Sequence, residues 1–154
     1  MKSKIFKGFF LSCAMLATTT ALAAGTLPRS FYGKWISVQA TPKTSERIMR
    51  QFCNSAVENP LKGSEKVHMI EFDANRKEFL VMYADRNWGM DFDVTSYKPA
   101  VYTKSSSSHI QGTARTEYAS EEDELEKKTS RAKFDIRMSN NQIYFEGRTY
   151  KQCP

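Results

Sequence analysis

The residue types that carry catalysis are sparse in this chain and poorly spaced for it. Its two histidines, His68 and His109, stand about 40 positions apart, and both fall in stretches that read as strands. Zinc chemistry calls for clustered His, Cys or carboxylate ligands, so no metal or other cofactor is expected. Ser108 and His109 are neighbours, but adjacent residues on a strand point to opposite faces, which separates a nucleophile from its base. Asp91 and Asp93 share a strand face and are the types needed for an acid and a base; the plainer reading is a solvated pair. Gly-x-Ser-x-Gly, His-Glu-x-x-His and phosphate-cradling loops are absent. The acidic run Glu121-Glu122-Asp123-Glu124-Leu125-Glu126-Lys127-Lys128 lacks the Asp-x-Asp-x-Asp-Gly spacing of a calcium loop. With Asp123–Lys127 and Glu124–Lys128 at helical i,i+4 spacing, it reads as a solvated loop or a short exposed helix. Catalysis is not expected, and no catalytic or metal-binding residue is assigned.

The chain's first segment sets the compartment in which its other residues would act. Residues 1–23 have the form of an export signal: Lys2, Lys4 and Lys7 lead, Gly8 to Leu22 is apolar, and Ala21-Leu22-Ala23 is a small-x-small cleavage site. The mature protein is expected to begin at Ala24 or Gly25 and to be periplasmic or secreted, with 24–154 forming one domain. Lipidation of Cys13 within Leu11-Ser12-Cys13 is the second reading, disfavoured because Phe10 suits such a box poorly and the apolar run continues past the cysteine. No other stretch approaches the ~18 apolar residues of a membrane span, so no integral membrane segment is expected. Three of the 23 basic residues lie in the signal and all 17 acids lie beyond it, leaving twenty bases against 17 acids, a net charge of +3. No concentrated basic stripe, zinc-finger spacing or RNA-recognition motif accompanies that charge, which argues against nucleic acid as a partner. Removal of Cys13 leaves Cys53 and Cys153, an even pair that in an oxidising compartment forms one disulfide. Its loop of about 100 residues allows up to ~4–5 kcal/mol in the chain-entropy picture.

Period-two patterning dominates the mature chain. Beyond Ser30–Val38, strands are predicted over Lys66–Phe72, Lys77–Tyr83, Met90–Ser96, Ala100–Lys104, His109–Tyr118, Arg131–Met138 and Ile143–Tyr150, eight in all. Asp73–Arg76 and Ser139–Gln142 read as hairpin turns, and Asn140-Asn141 can adopt the positive φ of a tight primed turn. One helix is predicted after the first strand, capped by Thr44 or Ser45 and running to about Val57. It carries an apolar stripe of Ile48, Met49, Phe52, Cys53 and Ala56. The strands over residues 66–83 are apolar on both sides. The helix is expected to cover their outer face, the alternative being an apolar patch left for a partner. In the last hairpin, pairing Met138 with Ile143 sets Ile136 opposite Phe145 on one face, with Lys133 diagonal to Glu146 and Asp135 diagonal to Arg148 on the other.

In the first strand Gly33, Trp35 and Ser37 alternate with Lys34, Ile36 and Val38, so a strand can bury Trp35 while Gly33 admits a close neighbour. This Gly33-x-Trp35 triplet, preceded by Phe31 and Tyr32, resembles the opening signature of the calycins, the lipocalin and fatty-acid-binding-protein superfamily. The resemblance covers about nine residues and implies that the tryptophan plugs the closed end of an up-and-down barrel. A helix directly after the first strand is similar to the fatty-acid-binding-protein branch, where helices close the barrel mouth. The expected fold is therefore mainly β, an antiparallel up-and-down eight-stranded lipocalin-like barrel with one α-helix after the first strand.

Two functions follow from such a barrel. In the first, which the resemblance implies, it binds a small apolar or amphipathic molecule, with Phe134, Ile136, Met138, Phe145, Ile110 and Tyr118 lining the lumen. Gly112, Ala114, Gly147 and Thr149 would leave room there, and Met69, Met82 and Met138 would make the lining adaptable. Arg115 and Arg148 point outward unless the two faces are exchanged. In the second, the lumen is packed and the protein acts through its surface on an envelope protein, resembling small periplasmic inhibitors of lysozyme in size, compartment and disulfide. A monomer is expected in either case.

Overall fold

The structure is a computed structural model, and it describes residues 25–54, 61–74, 77–86, 93–119 and 129–154. The predicted export signal with Cys13, the end of the predicted helix with Ala56, Asn75-Arg76, Met90 to Phe92 with Asp91, and the acidic run lie outside the described residues. A 3-10 turn at Arg29–Phe31 leads into β1 (Gly33–Gln39), which α1 (Pro42–Cys53) follows. Then come β2 (Lys66–Phe72), β3 (Phe79–Ala84), β4 (Asp93–Tyr97), β5 (Val101–Ser106), β6 (His109–Ala119), β7 (Thr129–Ser139), β8 (Gln142–Phe145) and β9 (Arg148–Gln152). Neighbours pair antiparallel in the order β1-β2-β3-β4-β6-β7-β8-β9, and β9 returns to β1 through Trp35–Gln152 and Ile36–Lys151. The ring is a closed, up-and-down, eight-position barrel, as the patterning predicts.

Those eight positions are filled differently from the predicted strands. β4 and β5 share one position, because β4 pairs with the second half of β6 (Thr116–Ala119) and β5 with its first half (His109–Thr113). Lys98-Pro99 lies between them, where proline has no N–H to give to a ladder. Conversely, the strand predicted over Ile143–Tyr150 is a hairpin. Phe145 pairs with Arg148 across a two-residue turn of Glu146 (φ 47°) and Gly147 (φ 72°), the positive angles of a primed turn. Every face assignment after residue 147 is thereby reversed. Arg148 and Tyr150 turn into the barrel, whereas Gly147 occupies the turn and Thr149 is exposed, so neither of the latter leaves room in the lumen. The predicted Lys133–Glu146 and Asp135–Arg148 diagonals do not form. Asp135 instead holds His109 Nε2 at 3.0 Å and Arg137 Nε at 3.1 Å. Before that turn the predicted register holds, with Met138 opposite Ile143 and Arg137 opposite Tyr144.

The lumen holds the main core. Trp35 is 1% exposed, and its Nε1–H donates to Phe31 O at 2.9 Å. Phe31, Leu27 and Tyr102 are buried with it, which closes this end of the barrel. Phe79 stands centrally, stacked on Tyr97 at 4.4 Å and edge-on to Phe134 at 5.3 Å. Gly112 marks the tightest point: a Cβ there would lie 2.1 Å from Val101 O and 2.7 Å from the Phe134 ring. The space expected beside Gly112 and Ala114 is thus filled by the neighbouring strand and the Phe134 ring. Gly33 also differs from expectation. A Cβ would meet nothing closer than 3.8 Å, and glycine is required there by its φ of +102°.

A second core lies outside the barrel wall. The N-cap of α1 is Thr41, three residues before Thr44 and four before Ser45, the predicted caps, and Pro42 opens the helix, because proline's fixed φ suits the first helical position. Ile48 and Phe52 are buried against Ile36, Val67 and Ala84, with Met49, Cys53 and Met69 half-buried around them. The helix therefore covers the outer face of β1–β3, as the two-sided apolar pattern predicts. Cys53 at its end is joined to Cys153 just past β9, with Cα atoms 5.5 Å apart. No helix among the described residues is long and apolar enough to cross a membrane.

Candidate functional site

Antiparallel register assembles the site at the end of the barrel opposite the 3-10 turn. Ser37, His68, Tyr83 and Asp93 are successive partners across β1 to β4. One step nearer the closed end, the partners are Trp35, Ile70, Val81 and Thr95. Residues two apart on a strand share a face, so on β1, β2 and β3 a polar residue lies above an apolar one on the lumen side, whereas β4 is polar at both heights, Thr95 and Asp93. The sequence changes from apolar to polar at the same height on several strands.

β9 adds the charge. Arg148 and Tyr150 enter the lumen through the Glu146-Gly147 turn, Tyr150 fully buried and Arg148 half-buried. Arg148 Nη1–H donates to Glu146 O at 3.3 Å, whereas Arg148 Nε and the Tyr150 hydroxyl are buried with no hydrogen-bond partner. The Glu146 carboxylate, two residues earlier in the chain, accepts from the Tyr97 hydroxyl at 3.3 Å. Burial, followed by the charges of Arg148 and Lys66, pushes His68 down to about 4, so its imidazole is neutral near pH 7. Burial also raises the Tyr150 phenol to about 12, with Arg148 opposing, and it keeps its proton. His68 lies against Tyr83, ring centroids 5.0 Å apart, and Lys66 Nζ stands 6.0 Å over that tyrosine.

The far rim is neutralised within itself. Tyr118 donates a short hydrogen bond to Asp93, and Thr116 and Ser130 join hydroxyls at 2.7 Å across β6 and β7. What the arrangement offers is one guanidinium, one neutral imidazole and one unpaired phenol, held above an apolar floor. Such a set favours a group that accepts hydrogen bonds and carries negative charge. Among the described residues, no three His, Cys, Asp or Glu side chains are grouped to hold a metal.

The six residues predicted to line a ligand are distributed unevenly. Ile110 and Ile136 are cross-strand partners, and Phe134 opposes Gly112. With Phe145, these four side chains are covered by one another and by Phe79 and Tyr102, forming a packed floor. Met138 is half-buried at the edge of that core, and Tyr118 stands apart on the rim, 36% exposed. Arg148, Tyr150 and His68 were not among the predicted lining. The signal that places the first two is the Glu146-Gly147 doublet, read as a two-residue turn rather than as strand. Compared with protein-family models, with curated proteins and with solved structures, the chain matches none.

Proposed function

We propose that this protein is an exported, non-catalytic barrel of the lipocalin-like kind that binds a small amphipathic molecule, anionic at one end, in the periplasm. The closed ring and Trp35 seated at its closed end support this reading, together with the disulfide, which suits an oxidising compartment. The single observation that carries it is the pair of unpartnered groups on β9, Arg148 Nε and Tyr150 OH, inside the lumen. Leaving a guanidinium N–H and a hydroxyl buried without partners is unfavourable by about 1–3 kcal/mol each, and an acceptor from a ligand removes that penalty. The ligand's head would lie between Arg148, His68 and Tyr150, with its apolar part against Val81, Ala132 and the rim aromatics.

A second reading is favoured by one observation: the lower lumen is packed around Phe79, Phe134 and Phe145 without room for a long chain. On that reading the barrel is a scaffold for surface contacts with an envelope protein. Titration with dodecanoate and with dodecyltrimethylammonium, followed by intrinsic fluorescence and native mass spectrometry, separates the two. The expected result is one dodecanoate bound, no binding of the cationic amphiphile, and affinity reduced about tenfold or more in Arg148→Gln. Absence of dodecanoate binding, or binding indifferent to Arg148→Gln, defeats the carrier reading.

A further inference from the structure

The wall of the barrel facing away from α1 carries a charge pattern that the lumen does not use. On the outer face of β6 and β7, Arg115 stands directly opposite Arg131, Thr113 opposite Lys133, and His109 opposite Arg137, while Lys104 of β5 stands opposite Gln111. Like charges directly opposed on a sheet are destabilising in the isolated protein. Only two carboxylates interrupt the described part of this face, and both are committed. Glu117 is shared between Lys98 at 2.8 Å and Arg115 at 3.9 Å, and Asp135 between His109 and Arg137. Lys104, Arg131 and Lys133 have no ion pair with a described carboxylate.

The same wall bears the two most exposed large apolar side chains among the described residues. Val101 on β5 is 48% exposed and Tyr144 on β8 is 40% exposed. Tyr144 is the cross-strand partner of Arg137, so an amphipathic ring lies beside a cation. It also borders a shallow pocket that Lys104, Ser108, His109 and Arg137 line. Cations spread over the pleated outer wall, edged by a tyrosine and an aliphatic side chain, match a layer of negative headgroups with an apolar region beneath. Lysine and arginine supply the attraction to such a layer, and a tyrosine settles at its boundary.

We propose that the β5–β8 outer wall is a peripheral docking surface for anionic lipid bilayers. This inference is independent of the lumen reading. It presents the barrel with its axis along the membrane plane and α1 facing away from the bilayer.

Flotation of the full-length mature, disulfide-intact protein tests it, using phosphatidylcholine vesicles with and without phosphatidylglycerol. Binding is expected only with phosphatidylglycerol, and it should be released as salt rises to about 0.5 M, where charges are screened within a few ångströms. Arg131→Glu with Lys133→Glu should weaken partitioning about tenfold or more, and Lys43→Glu on α1 should leave it unchanged. Replacing Arg131 by Glu turns an opposed like pair into an attractive one, so the variant should melt no lower than the parent. The salt titration of the parent stands by itself should that variant not fold. Equal binding to both vesicle types, insensitivity to the double substitution, or release by millimolar inorganic phosphate at constant ionic strength would overturn the proposal; the last of these would identify a soluble-anion pocket.

Discussion

His68 sits where the lumen turns from apolar to polar, and its titration follows from that position. Its folded value of about 4 lies below the ordinary 6.5, so the folded state takes up its proton less readily than the unfolded chain. Stability from this group is complete above pH 6.5 and falls as pH drops through the window down to about 4. Because the ring is only half-buried, screening limits the effect to about 1–2 kcal/mol. Urea unfolding midpoints between pH 4 and 7 should therefore fall with acid, and His68→Asn should flatten that part of the profile. Tyr150 makes a complementary prediction. Its hydroxyl is buried and unpaired, so Tyr150→Phe should leave the ligand-free protein equally stable or up to about 1 kcal/mol more stable. The same change should weaken dodecanoate binding severalfold, measured in the same titration. A merely structural tyrosine would give the opposite sign in the unfolding experiment.

At the scale of elements, the turn between β8 and β9 has the widest consequence. Glu146 and Gly147 both have positive φ, and the hairpin they make converts the faces of the final five residues of sheet. Read as one strand, Ile143–Tyr150 would place Arg148 in water. Read as a hairpin, it places Arg148 beside His68. The β4–β5 break is the converse, one barrel position split by Pro99 into two short strands. Gly112 shows how tightly that junction is packed: the Val101 carbonyl occupies the place a Cβ would take. Gly112→Ala should therefore force β5 away from β6 and lower stability by about 2–3 kcal/mol, read from urea denaturation. Local loss of amide protection in β5 should accompany it.

For the whole molecule, closure is the weak point. β1 pairs with β2 over seven residues but meets β9 only at Trp35 and Ile36. The disulfide lies beside that seam, tying the residue after β9 to the end of the helix that follows β1, and the Cys153 N–H donates to Lys34 O at 2.9 Å. Replacing both cysteines with serine should lower stability by about 2–4 kcal/mol. Hydrogen exchange of that variant should show β9 and the β1 edge losing protection before β6 and β7, which pair over nine residues. Uniform loss of protection would mean that the bridge acts on the unfolded chain alone.

The sequence by itself determined the alternation that makes the walls, the apolar stripe that lays α1 over β1–β3, the pairing of Cys53 with Cys153, and the burial of Trp35. These follow from local period and from the small number of partners available, which a linear string displays. Tertiary structure alone decided which way Arg148 and Tyr150 face, whether Gly112 leaves space, and that cations scattered from Lys104 to Arg137 share one wall. Each of these depends on which strand lies beside which and in what register. A two-residue turn with positive φ, or one proline between two strands, shifts that register by an amount that composition and spacing do not record.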